Sequence, residues 1–445
     1  MTNMIGAIIL ILASVSTQMH CVNDKNVIKN AEDRWFEQTL DHFSVQDERT
    51  FLQRYIEIGE FFKPGGPLLL EIGAETDLTR NNVEHLQSYI LSKQLGGWFF
   101  FLEHRYYGKS SPFKNLTAKN LVYLTVEQAL EDVAYFLHGM KEESQDLRNA
   151  KVGVFGCSYS GSLATWFRYK FPHLVDGAWA SSAPLRAVAK FHEYLEVASE
   201  VYSNVSWECF GRLRDGYDEM KSLLSTPDGR SIVKRALENW SCGNASTMSS
   251  GTILSNVRFV VATHDIPTDH GNTSCSILQG VTHSPFDALI LLLKVKSSDV
   301  CEEENEEFPN NDIAWSYQTC TEFGFSITLN SIKQPFHDMF DVLAEDLESC
   351  AKFGNNFDLE MLQKGINRIN RSYAGEDIRV TRVLTVHGAL DPWHKLGMRE
   401  EGNDSPVLLV PGAAHCSDQI YQYSEPNELI AAKRRGREIM KKWLQ

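Results

Sequence analysis

The stretch Val152-Gly-Val-Phe-Gly-Cys-Ser158-Tyr-Ser-Gly-Ser-Leu163 constrains this chain more than any other. An apolar run ends in glycine, a serine follows two residues later between small neighbours, and a helical pattern starts at once. A strand, a turn too tight for large side chains and a helix, in that order, read as a nucleophile elbow. Such a turn lifts the Ser158 hydroxyl clear of the sheet edge, and the start of the helix offers backbone N–H groups to developing negative charge. Ser160 stands where the pattern expects a second glycine. Taken alone, the string reads equally well as a Ser/Gly turn between a buried strand and a helix, so its surroundings have to decide.

Those surroundings read as an α/β fold. Residues 22–63 resemble a β-hairpin, with strand candidates at Arg34-Trp-Phe-Glu-Gln and Arg49-Thr-Phe-Leu-Gln-Arg-Tyr-Ile-Glu-Ile. Leu68-Leu-Leu-Glu-Ile72 and Trp98-Phe-Phe-Phe-Leu102 are short continuous apolar runs on either side of a helical stretch at about 81–95. Thr125 caps a helix whose apolar positions Ala129, Val133, Phe136, Leu137 and Met140 recur at helical spacing. After the elbow come a helix over 163–171 and a further strand with its loop, Val175 to Pro184. Apolar runs alternating with helices indicate a parallel sheet covered on both faces. Strand signals then thin out until Val380-Thr-Arg-Val-Leu-Thr-Val386 and Ser405-Pro-Val-Leu-Leu-Val-Pro-Gly412. The expected organisation is a leader at 1–21, a first core part at 22–190, a mostly helical insertion at 191–350 and a second core part at 351–445.

Composition narrows the function. A chain of 445 residues is long enough for two domains or for one with a large insertion. A net charge of −15 leaves no basic stripe to neutralise phosphates, so no nucleic-acid partner is expected. The acidic run at 302–307 reads as a solvated loop, and the basic cluster at 433–437 as the surface of a C-terminal amphipathic helix. Residues 5–15 are almost wholly apolar but too few to span a bilayer; they read as a secretory leader, and no membrane partner is expected. Acceptor sequons at Asn115, Asn204, Asn239, Asn244, Asn272, Asn370 and Asn403 agree with a secreted or lysosomal glycoprotein. Of nine cysteines, six (209, 242, 275, 301, 320 and 350) cluster in the insertion and read as disulfides, with fifteen pairings open. Cys157 and Cys416 adjoin motif residues, and their redox state stays open. No Cys-x-x-Cys spacing is present, and neither metal nor cofactor is expected.

A serine hydroxyl needs a base, and the base needs an orienting carboxylate. The two late strands lead into His387-Gly-Ala-Leu-Asp391-Pro-Trp-His394 and Gly412-Ala-Ala-His415-Cys-Ser-Asp418. Ser158, Asp391 and His415 thus follow in the order Ser, Asp, His, each after a strand, which is the order of the α/β-hydrolases. His387 and His394 compete for the base, but His387 precedes the acid and sits at a strand end. For the oxyanion hole the expected donors are the N–H of Tyr159 and that of Gly73 or Ala74, in the loop after the earlier strand. Separately, Asp391-Pro is also a turn and His415 a surface residue; order and placement favour the triad.

Several motifs together resemble one family, the lysosomal and secreted serine carboxypeptidases that act at proline. They are Glu103-His-Arg-Tyr-Tyr-Gly, Tyr123-Leu-Thr-Val-Glu-Gln-Ala-Leu, Gly156-Cys-Ser-Tyr-Ser-Gly, Ala180-Ser-Ser-Ala-Pro, Trp315-Ser-Tyr-Gln-Thr-Cys-Thr-Glu-Phe-Gly, Gly388-Ala-Leu-Asp-Pro-Trp-His and Ala414-His-Cys-Ser-Asp. The wording around Ser162, Phe323 and His415-Cys is most similar to the thymus-specific branch. The resemblance implies an α/β-hydrolase core, a helical disulfide-bonded cap and a peptide substrate. It implies the pairings Cys209–Cys275, Cys242–Cys301 and Cys320–Cys350, and it allows a homodimer. It also implies a proline pocket walled in part by Trp393, whose flat face suits a rigid pyrrolidine ring; core packing is the plainer role for that tryptophan. Ser162 replaces a larger apolar residue of that pocket. Glu75 and Glu322 are candidates to meet a substrate amino terminus or, equally, to form structural salt bridges. The function expected is a serine exopeptidase; the alternatives are an esterase using the same triad and a non-catalytic hydrolase-fold glycoprotein.

Overall fold

The computed structural model describes residues 27–29, 31–263, 271–281, 283–300, 310–339, 342–402, 404–419 and 425–445. The leader, Cys301, the acidic run at 302–307 and the sequon at Asn403 lie outside the described residues. The strands are β1 (Asp33–Thr39), β2 (Thr50–Ile58), β3 (Leu68–Ile72), β4 (Trp98–Leu102), β5 (Val152–Cys157), β6 (Gly177–Ser181), β7 (Val188–Lys190), β8 (Gly324–Ser326), β9 (Val383–Gly388) and β10 (Val407–Val410). Eight of them form one sheet in the order β1-β2-β4-β3-β5-β6-β9-β10. β1 and β2 pair as the expected antiparallel hairpin, β2 meets β4 antiparallel, and every pairing from β4 to β10 is parallel. This is the α/β-hydrolase arrangement.

The continuous apolar runs have the cause expected of them: β3, β5, β6 and β9 are buried almost throughout, with helices on both faces. The two-residue period sorts each run. Leu68, Leu70, Val152, Val154, Ala178 and Ala180 share a core with the helices Val126–Glu143 and Tyr159–Lys170. Leu69, Phe155, Trp179 and Leu384 face the other way, against Leu91 and the C-terminal helix Asn427–Leu444. Thr125 does cap its helix, its hydroxyl accepting the N–H of Gln128. Because the strands run parallel, the loops after β5, β9 and β10 emerge at one edge, the edge where ligands bind in sheets of this kind.

Between β7 and β8 the described residues are mostly helical. The helices Glu193–Val205, Trp207–Leu224, Ser250–Thr263 and Pro285–Val300 build a second core around Leu195, Leu213, Tyr217, Val257, Leu289 and Leu293. That core also takes in Leu396 and Ala414, with Trp393 packed against it, so the helical layer rests on the loops after β9 and β10. The stretch expected to form one insertion divides in its packing, since Phe323 and Leu343 belong to the sheet's own core. β7 and β8 pair in parallel (Val188 with Gly324, Lys190 with Ser326) and tie the start of the helical layer to its return. Their three-residue length left no periodic signal. Gly324 is required there: its φ is 75°, and a Cβ would come within 2.4 Å of the Val188 carbonyl oxygen. No helix among the described residues is long and apolar enough to cross a membrane.

Candidate active site

β5 ends in the elbow. Ser158 has φ 59° and ψ −127°, a conformation that a residue with a side chain keeps only when its surroundings impose it. The helix starts at Tyr159, four residues earlier than the periodicity suggests, because its first turn is the elbow itself. Gly156 makes that turn possible, since a Cβ there would lie 2.2 Å from the Ser160 carbonyl oxygen. The departure at Ser160 is an added support: its hydroxyl donates to the Cys157 carbonyl (2.8 Å) and accepts the Cys157 N–H (3.0 Å), stitching the turn across its mouth.

Asp391 lies in the loop after β9, wholly buried. One of its oxygens caps the short turn Pro392–Leu396 by accepting the Trp393 N–H (3.0 Å), and the same oxygen lies 3.0 Å from Nδ1 of His415. Burial alone would raise the Asp391 carboxyl, but the charge and contact of His415, with support from the Ser182 hydroxyl and the Trp393 N–H, hold it below the usual carboxylate range. For His415 the converse applies. Burial opposes its charged form, yet Asp391, with Glu75 and Asp418 further off, raises its pKa above the ordinary histidine value. The competing histidines have other surroundings. His387 is 2 % exposed, and burial pulls it to about 4. His394 places Nδ1 against the backbone carbonyl of Asp391 rather than its carboxylate.

The loop of His415 is anchored beneath the sheet edge. Cys416 donates its N–H to the Ser182 hydroxyl (2.9 Å), and buried Asp418 accepts from Trp179 Nε1 (2.7 Å) and from the Ser181 hydroxyl. Cys157 and Cys416 form a disulfide with their Cα atoms 5.8 Å apart, which answers the question their sequence left open. The pairings Cys209–Cys275 and Cys320–Cys350 are present. Cys242 is also disulfide-bonded, but Cys301, its expected partner, lies outside the described residues. Cys157, His415 and Cys416 bring their side-chain donor atoms within 4.8 Å of one another, but sulfurs joined in a disulfide offer no thiolate to a metal.

Three sequence expectations change. The Gly73 N–H is spent on the Leu102 carbonyl (2.8 Å), because the ladder of β3 runs one residue past the strand, so of the two donors considered only Ala74 keeps its N–H unengaged. Ser162 does not face a pocket: it is 1 % exposed, and its hydroxyl donates to the Pro184 carbonyl (2.8 Å). Glu322 is equally enclosed, pairing with Arg368 (2.5 Å) and accepting the Val126 N–H (3.2 Å), which makes it the structural salt bridge of the two options. Glu75 shares with Glu322 a buried Oε2 that has no hydrogen-bond partner, but the opposite charge acting on it is His415 rather than an arginine. Burial raises the Glu75 carboxyl. Among the sequons, Asn370 uses its amide in both directions on the Ala187 backbone.

Around Trp393 and Tyr159, which were expected at the site, the structure gathers side chains to which no role had been assigned. Trp393 packs against Phe191 (5.5 Å between ring centroids), Tyr194 (5.7 Å), Phe325 (5.1 Å) and the His415 ring (6.5 Å), a wall drawn from four separate segments. Trp393 and Phe325 also line a cleft of about 410 Å³, together with Trp315, Asp312 and Asp346. Tyr159 is clamped through its side chain: its hydroxyl lies 3.2 Å from Nε2 of His104 and accepts from Gln318 (3.0 Å), while Gln318 accepts from Tyr107 (2.6 Å). Burial pulls His104 to about 4, so it stays neutral. The run from Trp315 to Phe323 holds Gln318 among other polar residues, so nothing in its pattern singled this side chain out.

The family model for serine carboxypeptidase S28 matches residues 38–263 and 283–436. A putative serine protease, K12H4.7, of Caenorhabditis elegans is 31 % identical over 97 % of this chain and 91 % of its own length. The thymus-specific serine protease of Mus musculus is 31 % identical over 92 % and 87 %, and the lysosomal Pro-X carboxypeptidase of Homo sapiens 26 % over 94 % and 89 %.

Proposed function

The chain belongs to the serine carboxypeptidase S28 family and is a serine-type peptidase; from this premise we propose that it is a secreted or lysosomal exopeptidase that cleaves peptides next to proline through an acyl-enzyme on Ser158. The observation that carries the reading is the 3.0 Å approach of His415 Nδ1 to buried Asp391, on loops that meet the elbow. In the reaction His415 takes the Ser158 proton as the oxygen attacks the scissile carbonyl, then returns it to the leaving amine. Water repeats the sequence on the acyl-enzyme. Asp391 holds the tautomer of His415 and stabilises the imidazolium. The N–H groups of Tyr159 and Ala74 face the oxyanion, the first at a helix start whose N–H groups have no partner within the helix. The aromatic wall at Trp393 receives the pyrrolidine ring. It offers flat area to a ring whose nitrogen, once in a peptide bond, carries no hydrogen that needs a partner.

Of the two peptide ends, the amino terminus suits this cleft better. Its lining includes Asp312 and Asp346 and neither lysine nor arginine, and Glu75 adds a buried carboxyl near His415. Such surroundings attract an ammonium and repel a carboxylate. A peptide library with free or blocked ends, read by mass spectrometry, is expected to show cleavage that blocked amino termini abolish. Cleavage that only blocked carboxyl termini abolish would reverse the assignment of the end. Ser158→Ala is expected to abolish covalent labelling by a fluorophosphonate, and labelling that persists would remove the mechanism altogether.

A further inference from the structure

The Cys157–Cys416 bond joins the residue just before the nucleophile to the residue just after the base, across 259 positions of sequence. We infer that it is a positioning element of the catalytic machinery, and that its reduction by an external dithiol switches turnover off reversibly. This rests on the assignment of Ser158 and His415 above.

Local geometry gives the reason. Ser158 and Cys416 are both non-glycine residues at positive φ, 59° and 56°. Such conformations persist only where neighbouring structure over-determines them, and here the same covalent link bears on both. The donor atoms of Cys157, His415 and Cys416 lie within 4.8 Å of one another, so the disulfide borders the imidazole directly. Other ties of this loop, Cys416 N–H to Ser182, Asp418 to Trp179 and Ser181, and the Leu390 N–H to the Ala413 carbonyl, hold it to β6 and to the loops after β6 and β9, and they reach the elbow only through Ser181, whose carbonyl accepts the Ser158 N–H. The cross-link therefore sets the distance from base to nucleophile, while the fold has its own support in the sheet and the cores on both of its faces.

The bond is also the one a reductant meets first among the described pairs. Cys157 is partly exposed, whereas Cys209, Cys275, Cys320 and Cys350 are each 5 % exposed or less. In the exchange, one thiolate of a dithiol attacks Sγ of Cys157, forming a mixed disulfide and releasing Cys416 as a thiolate that takes up a proton. The second thiol of the reductant then closes on the first, leaving Cys157 as a thiol and the dithiol as a cyclic disulfide. Two electrons pass from the dithiol to the cystine.

The experiment has two arms on the full chain. In the first, native enzyme is titrated with dithiothreitol, Cys157 and Cys416 are followed by differential alkylation and mass spectrometry, and activity, melting temperature and fluorophosphonate labelling are read on the same samples. In the second, the Cys157→Ala/Cys416→Ala double variant is assayed with and without dithiothreitol. The expected result is a loss of kcat of about 100-fold, the scale of a misplacement of about an ångström between reacting groups. KM changes little, the pH profile shifts as His415 leaves its place, the melting transition is retained, and activity returns on reoxidation. The double variant starts low and does not respond to dithiothreitol. Wild-type kcat and pH profile in the double variant, or activity that falls only together with the melting transition, would overturn the inference. Absence of labelling in the untreated enzyme would instead overturn the assignment of Ser158.

Discussion

At the scale of single residues, the site divides into groups that sequence order identifies and groups that only their surroundings define. His415 was chosen over His387 and His394 by order, and the structure gives the electrostatic reason. His387 is pulled to about 4 by burial, while His415, whose side chain is 35 % exposed, is held above the ordinary histidine value by Asp391. The sign of the pH dependence follows. The base must be neutral to accept the Ser158 proton, so kcat/KM, which reports the free enzyme, is expected to fall on the acid side through a pKa above 6.5. A profile flat down to pH 5 would remove His415 from the role. The errors at this scale share one physical origin. Gly73, Ser162 and Glu322 each sit near the site in sequence or by motif, but each has a polar atom engaged by backbone or by Arg368, which no local pattern announces.

At the scale of elements, the loop after β4 is held from below. Arg105 is fully buried and makes two 2.6 Å contacts with Asp132 of helix Val126–Glu143, while also donating to the carbonyls of Leu40, Tyr123 and Thr39. It thereby joins the hairpin, the loop that supplies His104 and Tyr107, and a core helix. Removing one member of a buried pair leaves the other charge uncompensated. Arg105→Ala is expected to destabilise the fold by about 3–5 kcal/mol, less whatever His42, 2.8 Å from Asp132, restores. A denaturant midpoint unchanged from wild type would contradict this. The sequence located that turn but not its role, since the arginine's partners lie 18 to 66 residues away. The long strands and the capped helix were legible because their periods repeat within one segment. β7 and β8 were not, because three residues carry no period and their pairing joins positions 188 and 324.

At the scale of the whole molecule, burial raises several carboxyls, Glu103 among them despite its 3.2 Å ion pair with Arg54. Glu71 is pushed up to about 7 by burial, eased by a 2.5 Å hydrogen bond from Ser88 and reinforced by Asp418, while burial also raises Glu75, Glu103 and Asp418. A folded-state pKa above the unfolded one contributes stability that is present below the unfolded value and lost as pH rises through the folded value. For Glu71 that window runs from 4.5 to about 7, and its protonation is worth on the order of 3 kcal/mol. For this group alone the folded state is favoured more at pH 5 than at pH 7.5, while His104 and His387, each pulled to about 4, favour the higher pH by a similar amount. Glu71→Gln, which keeps an acceptor for Ser88, should flatten that difference and raise the transition at pH 7.5. A melting-temperature difference between pH 5 and pH 7.5 that Glu71→Gln leaves unchanged would refute the argument. At Glu71 stability and catalysis thus pull in opposite directions, since acid that protonates its carboxyl also protonates His415.

What the sequence determined by itself was whatever short-range pattern encodes: an α/β sheet from buried apolar runs, a helical layer between its halves, and the order Ser158, Asp391, His415 after successive strands. What the tertiary structure decided were contacts between segments distant in the chain. It joined Cys157 to Cys416, assembled the wall around Trp393 from four segments, left Ala74 rather than Gly73 with an unengaged N–H, and closed Ser162 and Glu322 away. A strand's period is a property of the strand, whereas the partner of a buried polar group is a property of the packing, and it exists only once the chain has closed on itself.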